Sequence, residues 1–329
     1  MKIGLTTTIP VEAILAAGHE PVDLNNIFIT DAEPDRLVAR AETDGYPRTA
    51  CAWIKGIYSA ALKHGIETII AVTQGDCAQT HAMIETLSEA GTRIIPFAYP
   101  YDRDEELLRA QIQRICDHLR VTWEEAEHQR ERLRPIRMKV AELDRLTWRD
   151  GLVSGLENHY YQICCSDFHG DPERFEAELG RFLSRARGRV PARSAVRLGV
   201  AGVPTIYSDL YDFVEGLDAR VVLNETQRQF TMVPSINCDL LEQYRRYTYP
   251  YQLSGRVKDL REQIELRQID GLVHYTQAFC FRQIQDLLMK RHLDVPVLSL
   301  EGENPGPLDA RTRLRLEAFV ETLVARKRH

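Results

Sequence analysis

The chain writes a thiol into the same lettering twice, as Thr73-Gln74-Gly75-Asp76-Cys77 and, 203 residues later, as Thr276-Gln277-Ala278-Phe279-Cys280. A thiolate is a soft metal ligand and a nucleophile. In each copy an apolar run with strand character leads in, residues 66–72 and 271–275. A helically spaced apolar set follows: Met83, Ile84 and Leu87 in one, Ile284, Leu287 and Leu288 in the other. Both cysteines are therefore expected where a strand gives way to a helix. Free backbone N–H groups and the helix dipole at such a place predict a lowered thiol pKa. Beside them, Asp76 reads as a hydrogen-bond partner or helix-capping carboxylate, and His274 as a core histidine.

The elements that must carry these thiols alternate. Residues 3–6 read as a strand, Pro10 opens a helix to residue 17, Gly18 stops it, and residues 21–24 form the next strand. A helix at 53–64 precedes the strand into Cys77, and a strand at 93–99 ends at Pro100. From residue 102 the pattern becomes charged and helical, with helices expected at 105–119, 122–133, 135–146 and 172–187. Residues 196–200, Pro204, Gly216 and 220–223 then repeat the opening plan. The expectation is an α/β fold. A first Rossmann-like, doubly wound parallel-sheet half would span 1–101, a helical connector or cap 102–194, and a second half 195–329, the two halves being related by internal duplication.

Composition narrows the function classes. With 329 residues, 44% hydrophobic, the chain can bury a substantial core. A net charge of −6 argues against a general nucleic-acid binder. No apolar run reaches the roughly 20 residues that span a bilayer, and the start lacks a signal-peptide pattern, so a cytoplasmic location away from membranes is expected. The basic piece 185–189 reads as a solvated linker. Gly199 and Gly202 do not complete a dinucleotide fingerprint. Seven dispersed cysteines without a CxxC pair point to reduced thiols, and any metal site must be assembled from distant segments.

Residues 46–77 and 249–280 align without a gap and share Tyr-Pro, a lysine (Lys55, Lys258), an isoleucine (Ile66, Ile269), Thr-Gln and the final cysteine. A pseudo-two-fold between the halves would bring Cys77 and Cys280 together at the carboxyl ends of their sheets. Cys51 has Ser254 as its counterpart, so the symmetric site would hold three cysteines and one serine. Three thiolates suffice for three irons of a 4Fe-4S cube and leave the fourth exchangeable. Gln74 and Gln277 would bond across the two-fold or to cluster sulfur. Cys116, Cys164, Cys165 and Cys238 read as buried small hydrophobes.

These features, with the opening helix Pro10-Val11-Glu12-Ala13-Ile14-Leu15-Ala16-Ala17-Gly18 and the ending Asp270-Gly271, Phe279-Cys280, Val295-Pro296-Val297-Leu298 and residues 313–317, resemble the iron–sulfur subunits of the 2-hydroxyacyl-CoA dehydratase and benzoyl-CoA reductase family. The resemblance implies one 4Fe-4S cluster held by Cys51, Cys77 and Cys280, with a non-cysteine group on the fourth iron. It implies one-electron, ketyl-radical dehydration or reduction of an acyl-CoA-type substrate. An ATP-dependent iron–sulfur activator would supply the electron, and a homologous sister subunit or a second copy would complete the working unit. Ser254 and Glu301 stand as candidate catalytic side chains, Glu301 because an acidic residue is expected after the last strand. Two other readings compete: an electron-transfer or cluster-maintenance protein on the same scaffold, and a two-domain small-molecule binding protein whose cysteines lie far apart.

Overall fold

A computed structural model describes residues 1–328. Its first sheet is built from β1 (Lys2–Leu5), α1 (Val11–Ala16), β2 (Glu20–Asp23), α2 (Leu24–Ile29), α3 (Pro34–Thr43), α4 (Ala52–Lys63), β3 (Thr68–Gln74), α5 (Thr80–Glu89) and β4 (Arg93–Ala98). Four helices follow: α6 (Glu105–Leu119), α7 (Trp123–Trp148), α8 (Gly155–Ile163) and α9 (Pro172–Ala186). The second sheet comes from β5 (Val196–Gly202), α10 (Leu210–Gly216), β6 (Ala219–Asn224), α11 (Glu225–Phe230), α12 (Leu240–Arg246), α13 (Leu253–Arg267), β7 (Gly271–Gln277), α14 (Gln285–His292) and β8 (Val297–Gly302). Helix α15 (Ala310–Lys327) closes the fold.

Both sheets are parallel, ordered β2-β1-β3-β4 and β6-β5-β7-β8. Their central strands are apolar over most of their length because helices cover both faces, and β7 is buried at every position, its His274, Thr276 and Gln277 included. The order of each sheet reverses between its first and third strands, which opens a crevice at their carboxyl ends. The repeat extends into packing. A Cβ on Gly4 would lie 2.8 Å from Ile66 Cγ2, and one on Gly199 would lie 2.8 Å from Leu272 and 3.3 Å from Ile269. Two equivalent strands thus need glycine for the same close approach.

Three segments far apart in sequence share one buried knot. Glu12 on α1 is fully buried and accepts hydrogen bonds from Arg137 Nη2 on α7 (2.7 Å), Gln243 Nε2 (2.8 Å) and Tyr244 Oη (2.7 Å) on α12. The break expected at Pro135 does not occur, and α7 runs through it for 26 residues. The missing proline N–H removes one intrahelical bond, but apolar burial of Leu133, Ile136 and Val140 against α1 and α9 holds the turn in place. The sequence pattern also passed over α2, α8, α11 and α12, which are short or almost wholly buried and so carry little periodic contrast, and α3, whose apolar face is only Leu37, Val38 and Ala41.

Candidate functional site

The crevices of the two sheets face a common cavity of about 90 Å³, and Cys51, Cys77 and Cys280 all line it. Each reaches the wall by a different device. Cys51 is the N-cap of α4, and its N–H donates to Gln79 Oε1 (3.0 Å), which ties α4 to the turn carrying Cys77. Cys77 lies three residues before α5, and its carbonyl accepts the Thr80 N–H (3.1 Å). Cys280 caps the 3₁₀ turn Phe281–Ile284, with its own N–H on the Gln277 carbonyl (3.0 Å).

The turn before Cys77 tolerates only glycine at position 75. Its φ is +100°, and a Cβ would meet Pro250 Cβ at 2.8 Å and the Pro250 carbonyl oxygen at 2.9 Å. Gly75 is therefore one of the points where the first half touches the second. In the other copy, Phe279 stands opposite Asp76 in register, takes a left-handed φ of 63° and exposes its ring. The two thiol turns share lettering without sharing surroundings.

The expected thiol acidity is reversed. Burial pushes the Cys51 thiol up to about 11, against the backbone N–H groups of Trp53 and Ile54 that favour its anion. Burial, and then the Asp76 carboxylate, push Cys77 up to about 12. Cys280 is also raised by burial, although its own turn and Arg282 favour the thiolate. Desolvation outweighs the helix end because the groups face a mostly apolar wall. The three thiols are close enough that negative charge on one raises another. A bound cation reverses this balance, since a coordinating thiol is deprotonated outright.

Two carboxyls and one guanidinium complete the charged wall: Asp23 after β2, Asp76 after β3 and Arg282 after β7. Burial raises Asp76 to about 6, with Arg282 pulling it down and Asp23 pushing it up. Asp23 and Asp167 form a second buried carboxyl pair, joined by the Asp23 N–H donating to Asp167 Oδ2 (2.8 Å). Burial and then the neighbouring Asp23 push Asp167 up to about 7, and burial likewise raises Asp23. Each acid also caps a helical turn, Asp23 accepting from the Asn25 N–H and Asp167 from the His169 N–H. The sequence held a signal for Asp23, a carboxylate closing a parallel strand, but none for Asp167 or Arg282, which reach the site through tertiary packing.

The other sequence candidates separate. Ser254 is exposed on the second residue of α13 and does not line the cavity. While β3 and β7 keep the 203-residue offset, α13 starts at Leu253, so its N-cap is Gln252 and Ser254 is turned away from the Cys51 position. The same shift makes Arg256 the helix-position equivalent of Lys55. Lys55 is buried on Glu42 (2.7 Å) and Arg256 is buried on Glu225 (2.6 Å), whereas Lys258 is exposed. Glu301 is exposed at the end of β8, outside the cavity wall. Gln74 is exposed. Gln277 lines the cavity but spends its amide on the Glu303 carbonyl (2.8 Å) and its oxygen on Tyr275 Oη (3.0 Å). His274 is buried with Nδ1 on Asp286 (3.0 Å). Cys116, Cys164 and Cys165 are buried, whereas Cys238 is only half-buried.

Among the described residues no three His, Cys, Asp or Glu side chains converge on a single-ion site. The donor chemistry of the cavity is instead three thiols from separate segments, spaced around one wall, beside the unpartnered indole N–H of Trp53. That set fits a polynuclear iron–sulfur group, in which each thiolate serves its own iron and nearby N–H donors bond to sulfur. No helix among the described residues is long and apolar enough to cross a membrane. No curated protein matches the chain. The family model for the 2-hydroxyglutaryl-CoA dehydratase D-component matches residues 6–323, nearly the whole chain, and the chain belongs to that family.

Proposed function

We propose that this chain is an iron–sulfur subunit of a 2-hydroxyacyl-CoA dehydratase, with one 4Fe-4S cluster held by Cys51, Cys77 and Cys280. The observation that carries the reading is that these three cysteines, from two sheets and three chain segments, line one cavity at the carboxyl ends of both sheets. When bound, the cluster supplies one-electron chemistry and an iron with an exchangeable position. The protein's own contribution is to hold the acyl group in a water-poor cavity and to manage protons there. Asp23 and Asp76 are the carboxyls facing that space. Burial raises Asp23, which faces the cavity, and holds Asp167 behind it at about 7, which suits the pair to exchange protons with a substrate losing hydroxide and a carbon-bound hydrogen as water. The electron that makes the ketyl radical would come from an ATP-hydrolysing iron–sulfur activator, and a sister subunit or second copy would complete the enzyme.

The test is anaerobic reconstitution followed by iron and sulfide analysis. About four irons and four sulfides per chain are expected, with loss of most of that iron in Cys77→Ala and Cys280→Ala. Iron content unchanged in both variants would refute the ligand set.

A further inference from the structure

Arg282 is 3% exposed, and among the described residues it is the one cationic side chain in the cavity wall. A buried guanidinium is ordinarily paired with a carboxylate, as Arg137, Arg256 and Arg267 are here with Glu12, Glu225 and Asp144. Among the described residues Arg282 has no such pairing. Its Nη2 donates to two backbone carbonyls, those of Gly75 and Tyr249, both at 3.3 Å, and its Nε and Nη1 have no partner among the described residues. The guanidinium is fixed by stacking, with its carbon 4.0 Å from the centroid of the Tyr249 ring. It does not collapse onto Asp76, which lines the same wall.

We propose that Arg282 is the acyl-oxygen recognition residue of this cavity, its free donor edge receiving the carbonyl or carboxylate oxygen of the substrate. This rests on the proposed acyl chemistry but makes a claim about the cluster-free chain. A planar donor fork suits such an oxygen better than a point charge does. It would also meet the negative charge that gathers on a thioester oxygen when an electron enters it.

The test is alkylation of Cys77 and Cys280 by iodoacetamide in the cluster-free full-length protein, with a 2-hydroxyacyl-CoA or the matching free 2-hydroxy acid as protecting ligand. Protection in the native sequence should weaken by about tenfold in apparent affinity in R282Q, the worth of one charge-assisted hydrogen bond, and R282K should recover part of it. Protection by the thioester alone assigns the oxygen to the thioester carbonyl, and protection by the free acid assigns it to a carboxylate. Equal protection of the native protein and R282Q, or none of the native protein, overturns the assignment. Because Arg282 also holds two carbonyls, a second measurement needs no variant. The iodoacetate to iodoacetamide rate ratio at Cys280, the thiol whose anion Arg282 favours, should exceed that of a free thiol and fall with salt. A ratio at or below the free-thiol value overturns the proposal even if R282Q fails to fold. Iron content in the cysteine variants is read separately, so the cluster can stand if Arg282 falls.

Discussion

The Asp23–Asp167 pair makes a prediction about stability that can be worked from its surroundings. In the folded chain Asp167 is held up at about 7, chiefly by burial and then by the Asp23 charge. In the unfolded chain its carboxyl returns to about 3.9. The folded state therefore keeps a proton that the unfolded state has lost between these two values. The stabilisation is fully present below about pH 4 and disappears as pH rises through about 7. For the one proton on Asp167, the slope is about 1.4 kcal/mol per pH unit, and the total over the window is on the order of 4 kcal/mol. Asp167→Asn is neutral at every pH, so it removes the share of the slope that Asp167 carries, while the burial that raises Asp23 stays. It loses one of the two acceptors that Asp167 offers to the Asp23 and His169 N–H groups, an offset of about 1 kcal/mol that does not vary with pH. Urea unfolding of both proteins at intervals from pH 4.5 to 8 gives the difference directly, and groups common to both cancel. The variant should gain on the native protein steadily as pH rises. A difference that stays flat across this range would show that Asp167 does not keep its proton in the folded chain.

Two further outcomes follow from the packing. Glu12→Ala leaves the Arg137 guanidinium buried without its carboxylate and should cost about 3–5 kcal/mol by denaturant unfolding, whereas Glu12→Gln keeps an acceptor and should cost less. Gly75→Ala must place a Cβ at φ +100° against Pro250. It should lower stability by about 1–3 kcal/mol and reduce iron retention after reconstitution by moving Cys77.

The parts of this molecule that were legible in sequence are those written in local period or in repetition. The 203-residue offset recurs in β3 and β7, and α6 begins and ends as its apolar spacing indicates. Cys77 and Cys280 stood out from the seven because duplication repeats them, and Cys51 entered as the unduplicated member opposite Ser254; the fold brings all three to one cavity wall. The acidity of the thiols was not, because a helix end is visible in a sequence while the depth of burial that outweighs it is a property of the assembled fold. Ser254 shows the same limit at finer scale: an ungapped alignment fixes strand register, but α13 starts two residues early relative to that alignment and turns the serine outward. Asp167 and Arg282 matter through partners 144 and 207 residues away, a separation at which spacing carries no information.

The knot at Glu12 sets an order of events during synthesis. Its partners Gln243 and Tyr244 lie 231 and 232 residues downstream, so the first helix cannot satisfy its buried carboxylate until about three quarters of the chain has been made. The amino-terminal sheet must wait on the ribosome with that acid open to water, and Cys51 and Cys77 wait with it for Cys280. A nascent chain offers two of the three thiols for most of its translation, so the proposed cluster requires the completed fold, and not the emerging polypeptide, as its acceptor.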